Sequence, residues 1–274
     1  MQITTPIVTM IAKDTWCINE FGMDAMFLMA GEHKALLIDT GTGTFDVKKL
    51  VEGLTDKPLM VAATHGHVDH VGGAGYFDTI YLHEKDFEMT NTLSAETRRS
   101  YVSSMQGMSG DLFSVTPDDV FVWEKVPELK ALYENDIIDL GGRKVVVYET
   151  PGHTPGGLSF LDVRERIIFT GDSCNPNTLI WFTPGATVEI LLHTAQKLKS
   201  LEPYYDRNYS GHVGYAADVT CKPMCNTINS DAIEVCTGLL DGSIQGEKVD
   251  APFRGDSYFA GKGAFGVCYS LKQL

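Results

Sequence analysis

No apolar run in this 274-residue chain approaches the roughly 18 residues that a membrane-crossing helix needs. Nor is there a CxxC pair or a compact disulfide spacing: the six cysteines stand at 17, 174, 221, 225, 236 and 268. Reduced thiols in a cytoplasmic protein are the reading this spacing supports. The opening MQITTPIVTMIAKD lacks a basic flank and a long apolar segment, so no signal peptide is expected. Positive charge is scarce as well. Twenty-two Lys+Arg face 36 Asp+Glu for a net charge of −14, and the densest basic stretch, KALYENDIIDLGGRK, holds as many acids as bases. Such a field repels a phosphate backbone, which argues against nucleic acid as a partner. A small-molecule substrate remains, with no membrane partner, and a homodimer stays open.

What is present is ordinary globular composition, 43% apolar and 21% charged, enough for one sizeable core. Residues 1–274 read as a single domain. Short strands are expected at 3–11, 16–18 and 25–30. KALLIDTGTG then reads as a strand buried on both faces that delivers Asp39 to its C-terminal end. Val47, Leu50, Val51 and Leu54 recur at helical spacing. PLMVAAT and TIYLH read as two further strands. Residues 84–130 change character and read as an insertion, part helix and part loop, with MQGMSGD as a flexible hinge. Strand patterning returns after it, with Gly141-Gly142 as a hairpin turn. Helices are expected at 187–201 and roughly 229–240.

Three of the eight histidines fall in THGHVDHVGG, residues 64–73, just where a buried strand ends. Two more sit in similar company, His153 in TPGHTPGG and His212 in YSGHVG, and Asp172 ends the strand of IIFTGDS. Strand ends beside glycine are where α/β sheets tend to place ligands. In extended chain, alternate residues share a face, so His65, His67 and Asp69 can point the same way, with His70 turned toward a neighbouring position. Imidazole and carboxylate together suit zinc, iron or manganese, and two ions would explain so many donors. The remaining histidines read differently: His33 as a turn residue, His193 as exposed on its helix, and His83 either as a residue supporting the cluster or as a strand-end histidine with a local partner. GTGTFD lacks the third glycine of a dinucleotide loop, so a phosphate-binding role is not expected. Cys174, two residues after Asp172, reads either as facing the site or as a small buried residue.

The order H-x-H-x-D-H, then Gly-His, Gly-Asp and Gly-His, resembles the metallo-β-lactamase superfamily, in its glyoxalase II/lactonase-like branch. The likeness runs from LLIDTGTG to SGHVG. It implies an α/β (α+β) fold: an αβ/βα four-layer sandwich, with the partly helical insertion following the first metal motif. It also implies that His65, His67 and His153 hold one ion, that Asp69, His70 and His212 hold the other, and that Asp172 bridges them. Asp39 matches the aspartate that orients such a cluster without binding metal. The implied activity is hydrolysis. A hydroxide shared by two divalent ions, zinc first and iron or manganese as alternatives, attacks an ester, lactone, thioester or amide carbonyl of a small metabolite, and Asp69 orients it or relays a proton. The chain departs from the acyl-homoserine lactonases, which carry tyrosine where Asn175 stands. An iron-dependent redox enzyme on the same scaffold and a non-catalytic metal-binding protein are the alternatives. Tyr101, Met105, Met108, Phe113 and Trp123 of the insertion are expected to line a lid over the substrate.

Overall fold

The computed structural model describes residues 2–109, 112–180, 183–212, 220–249 and 257–274, with the side chains of 107–109 left undescribed. The chain first lays down β1 (Ile7–Ala12), β2 (Thr15–Glu20), β3 (Asp24–Ala30) and β4 (Ala35–Ile38) as an antiparallel meander. The next helix is α1 (Val47–Glu52), capped by the Asp46 carboxylate on the Lys49 N–H. Strands β5 (Leu59–Ala62), β6 (Thr79–Leu82) and β7 (Glu128–Ala131) then extend the sheet in parallel. Between β5 and β6 lies α2 (Val68–Val71); between β6 and β7 lie α3 (Phe87–Asn91) and α4 (Ala95–Ser109).

A second sheet begins with β8 (Ile137–Asp139), β9 (Lys144–Glu149), β10 (Leu158–Asp162) and β11 (Ile167–Gly171). Two residues of β12 (Thr178–Leu179) start a third sheet before α5 (Val188–Leu201) leads to β13 (Arg207–Ser210), which pairs in parallel with β11. Helix α6 (Ile228–Asp241) follows, and β14 (Glu247–Val249), β15 (Ser257–Lys262) and β16 (Phe265–Tyr269) complete the third sheet.

Period-two alternation decides which side chains enter which layer. Along β3, Phe27 and Met29 face the second sheet, where they meet Val145, Val147, Phe160 and Phe169. Met26 and Leu28 point the other way, onto Val47 and Val51 of α1 and Val71 of α2. The outer face of the second sheet, through Leu161 and Ile168, packs on Leu191, Ala195 and Leu198 of α5 and Val235 and Leu239 of α6. The order is therefore helix, sheet, sheet, helix, as the resemblance implies. Among the described residues no helix is long and apolar enough to cross a membrane.

Two expectations need correction, and one sheet was not foreseen. The stretch 84–130 includes most of β7, whose Glu128–Ala131 pair with Thr79–Leu82 of β6, so sheet structure resumes before residue 130. Residues 105–109 continue α4 instead of forming a hinge; Gly110 and Asp111, and the Met108 side chain, lie outside the described residues. The third sheet went unread, although SYFAGKGAFGVCY has the alternation and glycine-flanked turn of a hairpin.

Candidate metal centre

The two central sheets bring their strand ends to one edge. Thr64 and His65 follow β5, Asp69 and His70 ride on α2 immediately beyond, and Asp39 follows β4. From the second sheet come His153 after β9, Asp172 after β11 and His212 after β13. Residues separated by over a hundred positions thus meet because every one of them leaves a strand at the same edge.

The His67 Nδ1 lies 3.0 Å from His65 Nε2 and 2.8 Å from His153 Nε2, a triangle of ring nitrogens. A second group joins Asp69, His70 and His212, and a third joins His65, His70 and Asp172. Within each group the donor atoms lie within 4.8 Å of one another. Asp172 Oδ2 sits between, 3.0 Å from His212 Nε2, 3.6 Å from His153 Nε2 and 3.9 Å from His70 Nε2. Gly211 makes this approach feasible, because a Cβ there would run into the His70 ring.

The far sides of four of the rings have fixed partners. His70 Nδ1 donates to Asp39 Oδ2 at 2.9 Å, His153 Nδ1 to the Leu179 carbonyl at 2.6 Å and His212 Nδ1 to the Met23 carbonyl at 2.8 Å. His65 Nδ1 stands 3.0 Å from Thr64 Oγ1. Such outer bonds select the tautomer and turn Nε2 inward. Asp39 is itself held by the Thr64 N–H at 2.7 Å.

Charge in the cluster is unevenly placed. Burial, with the neighbouring imidazoles, holds His65 well below its ordinary value, and burial with His153 brings His67 down to about 3. Both rings are therefore uncharged near neutral pH. Burial also acts against a charged His70, but the carboxylates of Asp69, Asp39 and Asp172 outweigh it and raise the ring to about 9. Burial works against an ionised Asp172 too, yet His212, His70 and His153 keep its carboxyl far below the usual range. Three buried carboxylates around mostly neutral rings call for positive charge at this spot.

Two atoms make the same demand structurally. His70 Nε2 and Asp172 Oδ1 are buried without a hydrogen-bond partner, a costly state unless something ligates them. A divalent cation fits both, and the surrounding nitrogen and oxygen donors suit zinc, iron or manganese.

All seven residues expected to hold metal, with Asp39 beside them, come together. His83 does not join them. It accepts the Lys85 N–H at 3.1 Å through Nδ1, pairs with Glu149 at 3.3 Å through Nε2 and meets the Tyr133 ring edge-on. The residue that supports the cluster from this strand end is Asp86, which the sequence reading passed over. It is fully buried and accepts the N–H of Gly66, the hydroxyl of Thr154 and the N–H of Gly156. The one visible signal was a carboxylate three residues past the strand of TIYLH.

Of the insertion's aromatic and methionine residues, Tyr101 reaches the cluster, its hydroxyl donating to Asp69 Oδ2 at 2.6 Å. Met105 and Phe113 are buried in a separate apolar cluster with Phe21 and Met23. Trp123 donates its indole N–H to the Gly72 carbonyl at 2.8 Å. Packing, not pocket lining, occupies those three. Cys174 takes its bland alternative, buried among Ile180, Val188 and Cys236, where burial pushes its thiol up. His33 lies in the bend between β3 and β4 and His193 is exposed on its helix, as expected. The glycine loop after β4 does hold an anion, but the chain's own: the amides of Thr42 and Thr44 donate to the Glu20 carboxylate.

A family profile described as the metallo-beta-lactamase superfamily matches residues 21–212. An acyl-coenzyme A thioesterase, MBLAC2 from Homo sapiens, is 26% identical over 193 residues, covering 64% of this chain and 67% of that protein. The chain thus spans about two thirds of the length of that relative. A hydroxyacylglutathione hydrolase, GloC from Haemophilus influenzae, is 26% identical over 161 residues, 57% of this chain and 68% of the relative. Among solved structures, the sec-alkylsulfatase Pisa1 from Pseudomonas sp. superposes with a TM-score of 0.61 at 17% identity, over 87% of this chain and 42% of that one. A metallo-beta-lactamase from Pontibacter korlensis gives 0.57 at 16% identity, over 85% and 99%. At such identities the structural likeness speaks to the fold.

Proposed function

The chain belongs to the metallo-β-lactamase superfamily as a metal-dependent hydrolase, and we propose that it uses two divalent ions on the carbonyl of a small acyl thioester or ester. The observation that carries this reading is the pair of buried, unpartnered atoms His70 Nε2 and Asp172 Oδ1 amid converging donors. In this reading His65, His67 and His153 hold one ion, Asp69, His70 and His212 hold the other, and Asp172 lies between them. Zinc is the first candidate, with iron or manganese as alternatives.

When bound, the ions supply an acidified water as nucleophile and polarise the substrate carbonyl. The chain's own residues prepare and complete that chemistry. Asp39, the Leu179 carbonyl and the Met23 carbonyl fix the three rings they touch, so these rings keep their orientation. Asp69 sits at the inner edge, 9% exposed at its side chain, where it can take the proton of the attacking water. A thiol leaving group asks little more, since a thiolate departs near neutral pH (ordinary pKa about 8.5).

The names of two relatives, an acyl-coenzyme A thioesterase and a hydroxyacylglutathione hydrolase, support an acyl group on a thiol carrier as the substrate class. The six reduced cysteines fit a reducing, cytoplasmic setting. The test is kcat/KM across acyl-coenzyme A and acylglutathione thioesters, simple esters, lactones and a β-lactam, with products followed by chromatography. Thioesters are expected to rank first. A lactone or β-lactam turning over faster than every thioester would replace the substrate class, and no turnover by a two-metal form would remove hydrolysis itself.

A further inference from the structure

Asp69 and His70 reach the site on α2, a helix of four residues, too short to hold its own orientation. Something else must hold it, and α4 does so at two points. Arg98, 1% exposed, donates Nη1 to the carbonyl of Gly72, which caps α2, at 3.1 Å and to that of Phe121 at 2.6 Å. The Trp123 ring lies 5.2 Å from that guanidinium and donates its N–H to the same Gly72 carbonyl. Three residues on, Tyr101 donates its hydroxyl to Asp69 Oδ2 at 2.6 Å. Below them Val102 and Met105 are buried against Phe21, Met23 and Phe113, so α4 is anchored by its own apolar cluster. Positions 98 and 101 of α4 thus hold position 72, the cap of α2, and position 69 within it.

We infer that Tyr101 is a positioning residue for the second metal, fixing the Asp69 carboxylate so that the ion meets a preset oxygen. The proposal rests on the two-metal reading above. A carboxylate alone turns about its last torsion and can bind through one oxygen or two. A phenol fixed by a clamped helix occupies one lone-pair direction of Oδ2 and removes that freedom. Asp69 Oδ1 lies 3.7 Å from His70 Nε2, and Oδ2 lies 3.7 Å from His212 Nε2. Turning the carboxylate would therefore change its distance to both other members of its triad. Losing such an outer partner typically weakens metal affinity by about 10–100-fold. The insertion then builds part of the second site in addition to any part in substrate choice.

The experiment is a titration of metal-free protein with Co2+ and, separately, Zn2+, for the wild type and Tyr101→Phe, read by metal content, a competing chromophoric chelator and the visible cobalt spectrum. Wild type should take two ions. Tyr101→Phe should bind the first with unchanged affinity and the second about 10–100-fold more weakly, with changed cobalt bands for the second ion alone. Ser104→Ala, on the exposed side of α4, should match the wild type throughout and control for the helix. A second ion bound by Tyr101→Phe with wild-type affinity and spectrum overturns the proposal, as does equal weakening of both ions. Wild type saturating at one ion would instead sink the two-metal reading, and with it the second site that Tyr101 serves.

Discussion

Asp86 accepts the backbone N–H of Gly156 at 2.8 Å across 70 residues of chain. The same carboxylate holds Thr154 beside Gly156 and, through Gly66, the loop of the first histidines. It thereby joins the loops that bring His65 and His67 to His153. The contact demands glycine, because a Cβ on residue 156 would meet Asp86 Cγ at 2.6 Å. Asp86→Ala should leave two amides and a hydroxyl unpaired in the interior and lower unfolding stability by about 3 kcal/mol or more. Urea denaturation of the metal-loaded protein measures this. A loss under about 0.5 kcal/mol, the level of an ordinary surface substitution, would show that water replaces the carboxylate.

Asp172→Ala should reduce bound metal from two ions to one per chain. Activity should fall by more than the roughly 10–100-fold that losing an outer partner costs. His193→Ala, on the exposed face of α5, should change neither. Elemental analysis beside steady-state kinetics separates the cases. An Asp172→Ala variant retaining two ions and full activity would refute the bridging role.

Chelation should abolish hydrolysis and lower the melting temperature together. The folded state gathers the donors and the unfolded chain does not, so each ion held at about 100 times its Kd adds about 2.7 kcal/mol. Without the ions, Asp39, Asp69 and Asp172 stay buried beside one another. Calorimetry before and after chelation is the measurement. Identical melting curves would mean that the cluster holds no metal.

At the opposite end of the sheets, Arg143, 1% exposed, binds the fully buried Asp162 and donates to the Asp14 and Ala30 carbonyls and the Thr15 hydroxyl. This guanidinium knits the first sheet to the second. Arg143→Ala should cost about 3–5 kcal/mol, because it strands a buried carboxylate. The double change Arg143→Met with Asp162→Leu should recover much of that loss. Metal content should stay the same in both. A denaturant series on the three proteins decides it, and an Arg143→Ala variant as stable as wild type would contradict the assignment.

The cluster was legible because its members sit at glycine-flanked strand ends, where local pattern and fold coincide. His65, His67, His70, His153, Asp172 and His212 share that signature, and so does Asp39. Asp86 and Tyr101 do not. The first lies in a one-turn helix and the second on α4, whose polar sequence gives no strong periodicity, so their reach toward the site is a product of packing. His83 takes its second alternative for the converse reason: it ends a strand at the right edge, but its ring turns to a local partner, Glu149. In the core, alternation along β3 and the helical spacing of α5 were readable, whereas β7 was hidden because ELKA is short and polar. Its place is set by the neighbouring β6 rather than by its own residues.

Asp39 has φ of +64°, in the left-handed region where side chains other than Gly, Asn and Asp lose about 1–2 kcal/mol. Conformation alone therefore favours three residues here, although Phe21 and Arg166 bear the same cost elsewhere in the chain. Its partners narrow it again, from another direction: Oδ1 accepts the Thr64 N–H and Oδ2 the His70 ring, which asks for an acceptor at both oxygens. Glycine would keep the chain's path and abandon the ring, while asparagine would keep path and shape but present a donor to one partner. Two unrelated filters, one steric and one chemical, thus overlap in a single amino acid, and asparagine is the substitution that pulls them apart.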